Sequence, residues 1–600
     1  GHRGNIPIIT IFKMVEHELL SLTQAEVAAL NYGVNIVKLV GKNTALVHKA
    51  ADGTLRACEN LCKHQGGTFA QDIEDVKSCV VTCTRHQWKL DVSAMEYVNP
   101  PKMHRQAELV VRRHQGNGIK LIKEEMLKAW DDVQEYLPIT MGELTVTYMT
   151  HACMEIKMGD KTIITDPWLL GPAFMRGWWL SHKPPADVWE RLMSCDAIWI
   201  SHSHTDHLNL PTMTELAKRR IDVPIYVGDL RKPVIRSDIK LLGFTNITVV
   251  PIETWVTLGE GRFMINDDDT MPDVDAWLLL EYKGHRICNF VDCSAPSAFQ
   301  LPSKQVDLIL TDFASGASGF PSCFADLHGN AKVEKIAHAK RAAFLRKIKD
   351  LADKTNAKAY VPVAGYFVAS HPNDADVKRL NKQNTPDDAI YYINKVKPGV
   401  ITWKPFPGAA FDVSTMSGPE FPGEEAFLLK HWDHDTYVKP LEHLGQRCLA
   451  TLEEVQLYFR WAGFHSYDLM LHVREMDDKL IKTKREFWVD FAGDTAVVLQ
   501  EKPREGNIFS MRVRSSSFRV VCFNGSSWDD IMIGFQGRFN VIPDMYHLKF
   551  LNHFANTLPV SCPNLPLIDA RQTIGSQKNI LLFTTCFIAF AAILVPWILL

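Results

Sequence analysis

Apolar residues recur along this chain at two periods, and the change of period marks its organisation. Between residues 34 and 123, short alternating or β-branched runs (VNIVKLV, TALVH, TLRAC) are separated by turn residues such as ADG. In VVRRHQGNGIKLIK, Asn117-Gly118 falls between two such runs and predicts a tight hairpin. Residues 14–125 thus read as a small all-β unit. From residue 143 the pattern changes. TIITD, AIWIS, PIYVG, ICNFVD and DLILTD read as buried strands, alternating with helical stretches such as PTMTELAKRR and KIAHAKRAAFLRKIKDLADK. That alternation predicts a layered α/β unit over residues 143–410. Between the two, EEMLKAWDDVQEYLPIT (residues 124–140) has helical character, and residues 126–142 read as a linker. Residues 411–575 are mixed, rich in Trp, Phe and Pro, and carry no legible motif. The expected class is an α+β multidomain protein.

Composition narrows this picture only a little. At 600 residues, with 46% hydrophobic and 22% charged content, the chain is long enough for two to four domains. A net charge of −3 and a pI near 6.8 give no footprint for nucleic acid. The 13 cysteines are scattered and odd in number. NIPIITIF, near the start, is short and lacks a small-residue cleavage site, and Met14 is a candidate initiator with residues 1–13 carried over from upstream. A reducing, cytoplasmic compartment is the expectation. Residues 580–600, ILLFTTCFIAFAAILVPWILL, hold no charge and would span roughly 30 Å as a helix, the thickness of a bilayer core. They are a candidate membrane tail at the cytosolic face of the endoplasmic reticulum, or a mistranslated final exon.

Chemistry enters with CENLCKHQGG and CTRHQWKLD. Cys62 and His64 form a C-x-H pair, and eighteen residues on Cys83 and His86 form a C-x-x-H pair. A Cys2His2 zinc site groups like with like, whereas here each pair holds one thiol and one imidazole. That suits a [2Fe–2S] cluster with Cys62 and Cys83 on one iron and His64 and His86 on the other, with Gly66 and Gly67 letting the backbone approach. The stretch resembles the Rieske ferredoxin family over roughly residues 20–125. Such a cluster moves single electrons, so another site must use them.

The strand AIWI runs into SHSHTDHLN, which puts His202, His204, Asp206 and His207 just past its carboxyl end, where open α/β layers build sites. Three imidazoles and a carboxylate in one loop are costly as structure and satisfied as metal ligands. The pattern H-x-H-x-D-H resembles the metallo-β-lactamase fold family, an αββα sandwich. That resemblance implies Asp166 in TIITDP, a bridging Asp292 in NFVDC, a final histidine at His371 in VASHP, and His151 in MTHACM facing the site. It also implies a histidine between the first cluster and Asp292, where this chain has Met271. A thioether is a poor ligand for hard divalent ions, so half of a dinuclear site lacks its ligand unless Asp269, Asp273 or Asp275 substitutes. The other half keeps Asp206, His207, Asp292 and His371, a histidine–carboxylate set of the type that non-haem Fe(II) oxygenases use.

A Rieske module feeding such an iron is the logic of an O2-activating monooxygenase. The blocks ENLCKHQGG, QWKLDVS, THACM, DPWLLGPAF, RGWWL, SHSHTDHLNLPT, DFASGASGFP, VAGYFVASHP, FRWAGFHSYDL and WDDIMIGFQGR, reaching to about residue 555, resemble the CMP-N-acetylneuraminate monooxygenase family (cytidine monophosphate N-acetylneuraminic acid hydroxylases). The resemblance implies hydroxylation of the N-acetyl methyl of CMP-N-acetylneuraminate to the N-glycolyl product. Electrons would come from NAD(P)H through a reductase and cytochrome b5. Two alternatives stand beside it: a metallo-β-lactamase-type hydrolase, against which the Rieske module argues, and an electron-transfer protein whose second site has lost its metal. Candidate substrate contacts are His151 and Arg176, the latter beside Trp178 and Trp179, and the loop Gly316–Pro321 could turn backbone N–H groups toward a phosphate.

Overall fold

The computed structural model describes residues 12–39, 44–62, 68–71, 79–83, 88–99, 101–114, 117–128, 135–230, 234–268, 275–293, 305–315, 319–369, 371–429, 451–462, 464–524, 527–543, 547 and 550. His64, His86, Met271, Asp269, Asp273, Gly316, Ala317, Ser318 and the apolar run 580–600 lie outside these residues.

The first part of the chain forms two sheets. One has six strands in the order Phe12–Leu22, Gly118–Lys128, Glu108–His114, Leu55–Glu59, Thr44–Lys49 and Gly33–Lys38. The other has five consecutive strands from Phe69–Gln71 to Pro101–Arg105. The Asn117-Gly118 hairpin is present: His114 pairs with Gly118, and Asn117 takes φ 61°, which the turn demands. The helical expectation for residues 124–140 fails at both ends. Residues 124–128 extend the hairpin strand and pair with Phe12–Glu16, residues 135–140 are irregular, and residues 129–134 lie outside the described residues. Cross-strand pairing along the whole of Phe12–Leu22 outweighs the helical propensity of an isolated EEMLK.

The middle of the chain is a sandwich of two seven-stranded sheets. In the first, Lys161–Thr165, Ala197–Ile200, Ile225–Gly228 and Ile247–Val250 run parallel. In the second, His285–Val291, Leu308–Asp312, Ala359–Val363 and Ile401–Thr402 do so. Their facing surfaces share one core that includes Val146, Ile156, Ile163, Leu278, Leu280 and Leu310. Strands buried on both faces read as continuous apolar runs, which is why they were legible in the sequence. The helix Leu210–Arg219 covers the first sheet's outer face through Met213 and Leu216. The helices Asn330–Lys354 and Pro386–Val396 pack on the second. This is an αββα layering, as expected.

Residues 451–542, unreadable from sequence, form a five-stranded sheet with the helices Leu452–Trp461, Ser515–Asn524 and Trp528–Ile533. Two devices fasten it to the sandwich. Gly177 and Gly534 meet backbone to backbone, so that a Cβ on Gly177 would come within 1.9 Å of the Gly534 carbonyl. The indole N–H of Trp178 donates to Ile533 O at 2.9 Å. Deeper, Arg514 and Arg538 converge on Asp374 at 2.6 and 3.0 Å, with all three buried. Each charge there is matched, which burial requires.

Candidate metal centre

The parallel strands of both sheets end at one place. Asp166 follows Lys161–Thr165, Ser201 to His207 follow Ala197–Ile200, and Asp292 follows His285–Val291. His151 joins them from the turn between Leu144–Thr150 and Cys153–Met158, at φ 48°, its carbonyl accepting from Ala364 N–H at 3.0 Å.

His207 is the hub. Its Nδ1 lies 2.9 Å from Asp166 Oδ2, and Asp166 in turn accepts from the Ser201 backbone N–H and hydroxyl at 2.8 and 2.7 Å. That fixes the ring and directs Nε2 at two further carboxylates, Asp206 Oδ2 at 3.4 Å and Asp292 Oδ2 at 3.5 Å. His151 Nε2 stands 3.1 Å from Asp206 Oδ2. Two overlapping donor sets result, His151–Asp206–His207 and His202–His207–Asp292, each with its ligand atoms within 4.8 Å of one another. His202 sits between Ser201 Oγ and His204, both at 2.9 Å.

The electrostatics ask for a cation. Burial alone would drive the His207 imidazole down, yet Asp206, Asp292 and Asp166 together hold it well above its ordinary range. Burial raises the Asp206 carboxyl, and His207 and His151 outweigh it, holding the group well below the usual range. His202 is pushed far down by burial and by the neighbouring His207 and His204. Buried atoms without a hydrogen-bond partner include Asp206 Oδ1, His207 Nε2 and Asp292 Oδ1. Orphaned polar atoms of this kind are costly unless something bonds them, and here they are a histidine nitrogen and carboxylate oxygens aimed at one point. Two histidines and a carboxylate suit non-haem Fe(II), and a carboxylate behind the ligand imidazole is the usual support. The residues fit iron.

The sequence-level candidates divide accordingly. His202, Asp206, His207 and Asp292 converge, with His204 at the edge. His151, expected as a group facing the site, falls into the ligand set. His371 does not: its Nε2 lies 3.1 Å from Asp478 Oδ2, in the turn between the strands Met470–Met476 and Thr483–Asp490, and its Nδ1 accepts from Asn373 N–H at 3.2 Å. Arg176 is buried in a left-handed run with Phe174 and Met175, next to the Gly177–Gly534 contact. Sequence reasoning missed Asp478, and also Asp530, whose carboxyl burial pushes up to about 7, with Asp529 and Asp206 adding to the effect. Neither lies in a recognisable motif. Near the missing histidine, Asp275 is raised strongly by burial and by the charges of Asp268 and Asp292, so a carboxylate does stand beside Asp292.

At the first site, Cys62 and Cys83 are both buried, in a core with Trp88, Tyr97 and Phe69. The Tyr97 hydroxyl lies 3.6 Å from Cys62 Sγ and donates to Gln106 Oε1 at 2.7 Å.

Two family models match the chain: the Rieske [2Fe-2S] domain over residues 22–115 and the beta-lactamase superfamily domain over residues 145–261. A cytidine monophosphate-N-acetylneuraminic acid hydroxylase of Mus musculus is 41% identical over 572 residues, which is 92% of this chain and 98% of that protein. The chain belongs to the cytidine monophosphate-N-acetylneuraminic acid hydroxylase family. Its relatives of that name in Macaca mulatta (41% identical, 91% of this chain and 95% of that one) and Asterias rubens (38%, 94% and 91%) agree over similar spans. Among solved structures, CmlA, a diiron beta-hydroxylase from Streptomyces venezuelae, overlaps 47% of this chain and 55% of its own at 13% identity and a TM-score of 0.30, a likeness too slight to bear on function. As a member of this hydroxylase family with a Rieske module, the chain is a Rieske-dependent monooxygenase with a [2Fe–2S] cluster.

Proposed function

We propose that this protein hydroxylates the N-acetyl methyl group of CMP-N-acetylneuraminate, giving CMP-N-glycolylneuraminate, with O2 as oxidant and electrons delivered through the Rieske cluster. The observation that carries the reading is the convergence of His151, Asp206, His207 and Asp292 in a chain of this family.

In this reading Cys62, His64, Cys83 and His86 hold the cluster. His151, His207 and Asp206 would hold iron, and His202 and Asp292, with His207, make up the overlapping second donor set. When bound, the iron supplies the activation of O2 that an unactivated C–H bond requires. The protein's own residues do the rest. Asp166 keeps the His207 Nδ1 proton, so that Nε2 presents its lone pair. Burial of the set keeps bulk water from the reacting centre. Arg176, carried on the loop Phe174–Trp178 that packs against Gly534, is the cationic candidate for the substrate's phosphate or carboxylate.

We assign residues 14–125 to the electron-transfer unit, 143–410 to the catalytic unit and 411–575 to a mixed C-terminal region. NAD(P)H-dependent reductase and cytochrome b5 are the proposed electron donors. Among the described residues no helix is long and apolar enough to cross a membrane. Residues Ile580–Leu600 would tether the chain at the cytosolic face of the endoplasmic reticulum, which fractionation of the full chain against one ending at Gln577 tests.

The decisive assay combines the protein with NADH, reductase, cytochrome b5, O2 and CMP-N-acetylneuraminate. One oxygen should appear on the acetyl methyl, and His207→Ala should abolish it with the Rieske spectrum intact. Turnover that survives His207→Ala together with His151→Ala would place the reaction elsewhere.

A further inference from the structure

Tyr148 and His182 form a buried phenol–imidazole pair beside the metal centre. Tyr148 is 0% and His182 1% exposed. Tyr148 Oη accepts from the backbone N–H of His151 at 3.0 Å, and His182 Nδ1 lies 3.0 Å from the same oxygen. A phenol oxygen that accepts from the backbone still has one proton to give, and in the tautomer with the His182 proton on Nε2 it is Nδ1 that accepts it. His182 Nε2 points to Glu424 Oε1, 3.7 Å away, whose side chain is 51% exposed. Burial, with Lys404 adding, pushes the His182 imidazole down to about 4, so it is neutral and able to take a proton. Burial likewise holds the Tyr148 phenol well above its ordinary range, so it stays protonated.

A phenol hydrogen-bonded to a neutral base, one residue-contact from a candidate metal ligand, is the arrangement that lets tyrosine give up its electron and proton together, so that the ring is left as a neutral radical rather than a radical cation. We propose that Tyr148 is a redox-active tyrosine that quenches the O2-derived oxidant when no substrate is present to receive it. In this step Tyr148 loses one electron to the oxidant and its phenolic proton moves to His182 Nδ1. The products are a neutral phenoxyl radical and an imidazolium, the positive charge on His182 lying toward Glu424. The next electron arriving by the ordinary donor route reduces the radical, and His182 returns the proton. Tyr366, its ring centroid 5.1 Å from Tyr148 and 4.9 Å from His182, lies against both members of the pair. Without this outlet an oxidisable ring still stands against the ligand set in Trp168, 5.1 Å from His151 in edge contact.

The inference rests on the proposed oxygenase reading, and the experiment separates the two. Full-length, iron-loaded protein is reduced, mixed rapidly with O2 without substrate and freeze-quenched, with O2 uptake followed in parallel. A narrow free-radical EPR signal is expected, and its hyperfine pattern should collapse in protein grown on ring-deuterated tyrosine. Tyr148→Phe should remove it, and His182→Asn should remove or greatly slow it. Both variants should show more peptide oxidation at Trp168 by mass spectrometry. O2 uptake with no tyrosine radical, or a radical that survives Tyr148→Phe, overturns the proposal and leaves the oxygenase reading standing. Absence of both O2 uptake and substrate hydroxylation overturns the two together. The deuterium arm needs no substitution, so a hyperfine pattern that ring deuteration leaves unchanged overturns the proposal even where a variant folds poorly.

Discussion

His207 Nδ1 and Asp166 Oδ2 stand 2.9 Å apart, both fully buried, and this contact determines what the other face of the imidazole can do. Asp166 is pinned by the N–H and hydroxyl of Ser201, so it holds one tautomer and raises the basicity of Nε2. Asp166→Asn keeps the shape and removes the charge. Affinity for the second-site iron should fall about 10–100-fold, as outer carboxylates behind ligand histidines typically show. Iron titration of the chelated protein reads this directly, and the Rieske absorption should not change.

The ligand sets make His151 and His371 distinguishable. His151 Nε2 faces Asp206, whereas His371 is occupied by Asp478 and Asn373. His151→Ala should therefore lose the iron that lies outside the cluster, while His371→Ala should retain it. Metal analysis of the two variants side by side checks this, and equal loss in both would return His371 to the ligand set.

Much of this site was legible because its ligands follow strands that announce themselves. AIWI and NFV are continuous apolar runs, so Ser201–His207 and Asp292 could be placed at strand ends from sequence. His151 was harder to assign. It sits in a two-strand turn whose aim depends on φ 48° and on the Ala364–His151 bond, neither of which the sequence spells out. Asp478 and Asp530 were invisible for a different reason. Asp478 meets His371, and Asp530 feels Asp206, only across contacts between distant parts of the chain, and long-range contacts leave no local pattern. The strand Gly118–Lys128 shows the converse: a segment with helical character is captured by a partner, Phe12–Leu22, that its own composition does not reveal.

That same glycine pair yields a structural prediction. A methyl group on Gly177 would lie 1.9 Å from Gly534 O and 2.4 Å from its carbonyl carbon, and the obstacle is backbone, which cannot rotate away. Gly177→Ala should displace the C-terminal sheet from the loop Phe174–Trp178. We expect a lower melting temperature and faster proteolysis of residues 451–542, measured by calorimetry and limited trypsin digestion. A well-folded variant with an unaltered digestion pattern would contradict the close contact.

At the cluster, a hydrogen bond to a ligand sulfur favours the reduced, more negative state and so raises the reduction potential. The single Tyr97 hydroxyl proton is divided between Gln106 Oε1 at 2.7 Å and Cys62 Sγ at 3.6 Å, so its contribution should be small. For a bond of about 1 kcal/mol, Tyr97→Phe should lower the potential by about 40 mV or less. Redox titration monitored by EPR measures it. A rise in potential would show that the hydroxyl does not act on the sulfur.

The His182 imidazole gives a pH prediction with a definite sign. Burial pushes it from 6.5 down to about 4 in the folded protein, so between those values the unfolded chain binds the proton and the folded one does not. Stability should therefore rise with pH across this window. The contribution is fully present above the unfolded value and is lost as pH falls toward 4, by about 3 kcal/mol at most for a shift of this size. Carboxylates that are paired in the fold, such as Asp374, bend the curve the same way but at lower pH, because their folded values lie below the ordinary carboxylate range. His182→Asn removes the titrating group while leaving a side chain that can still meet the Tyr148 hydroxyl. Melting temperatures taken from pH 4 to 7 should then climb less steeply in the variant than in the wild type, with the difference concentrated near pH 5. Parallel curves for the two proteins would mean that the fold does not lower the His182 value, against the burial seen here.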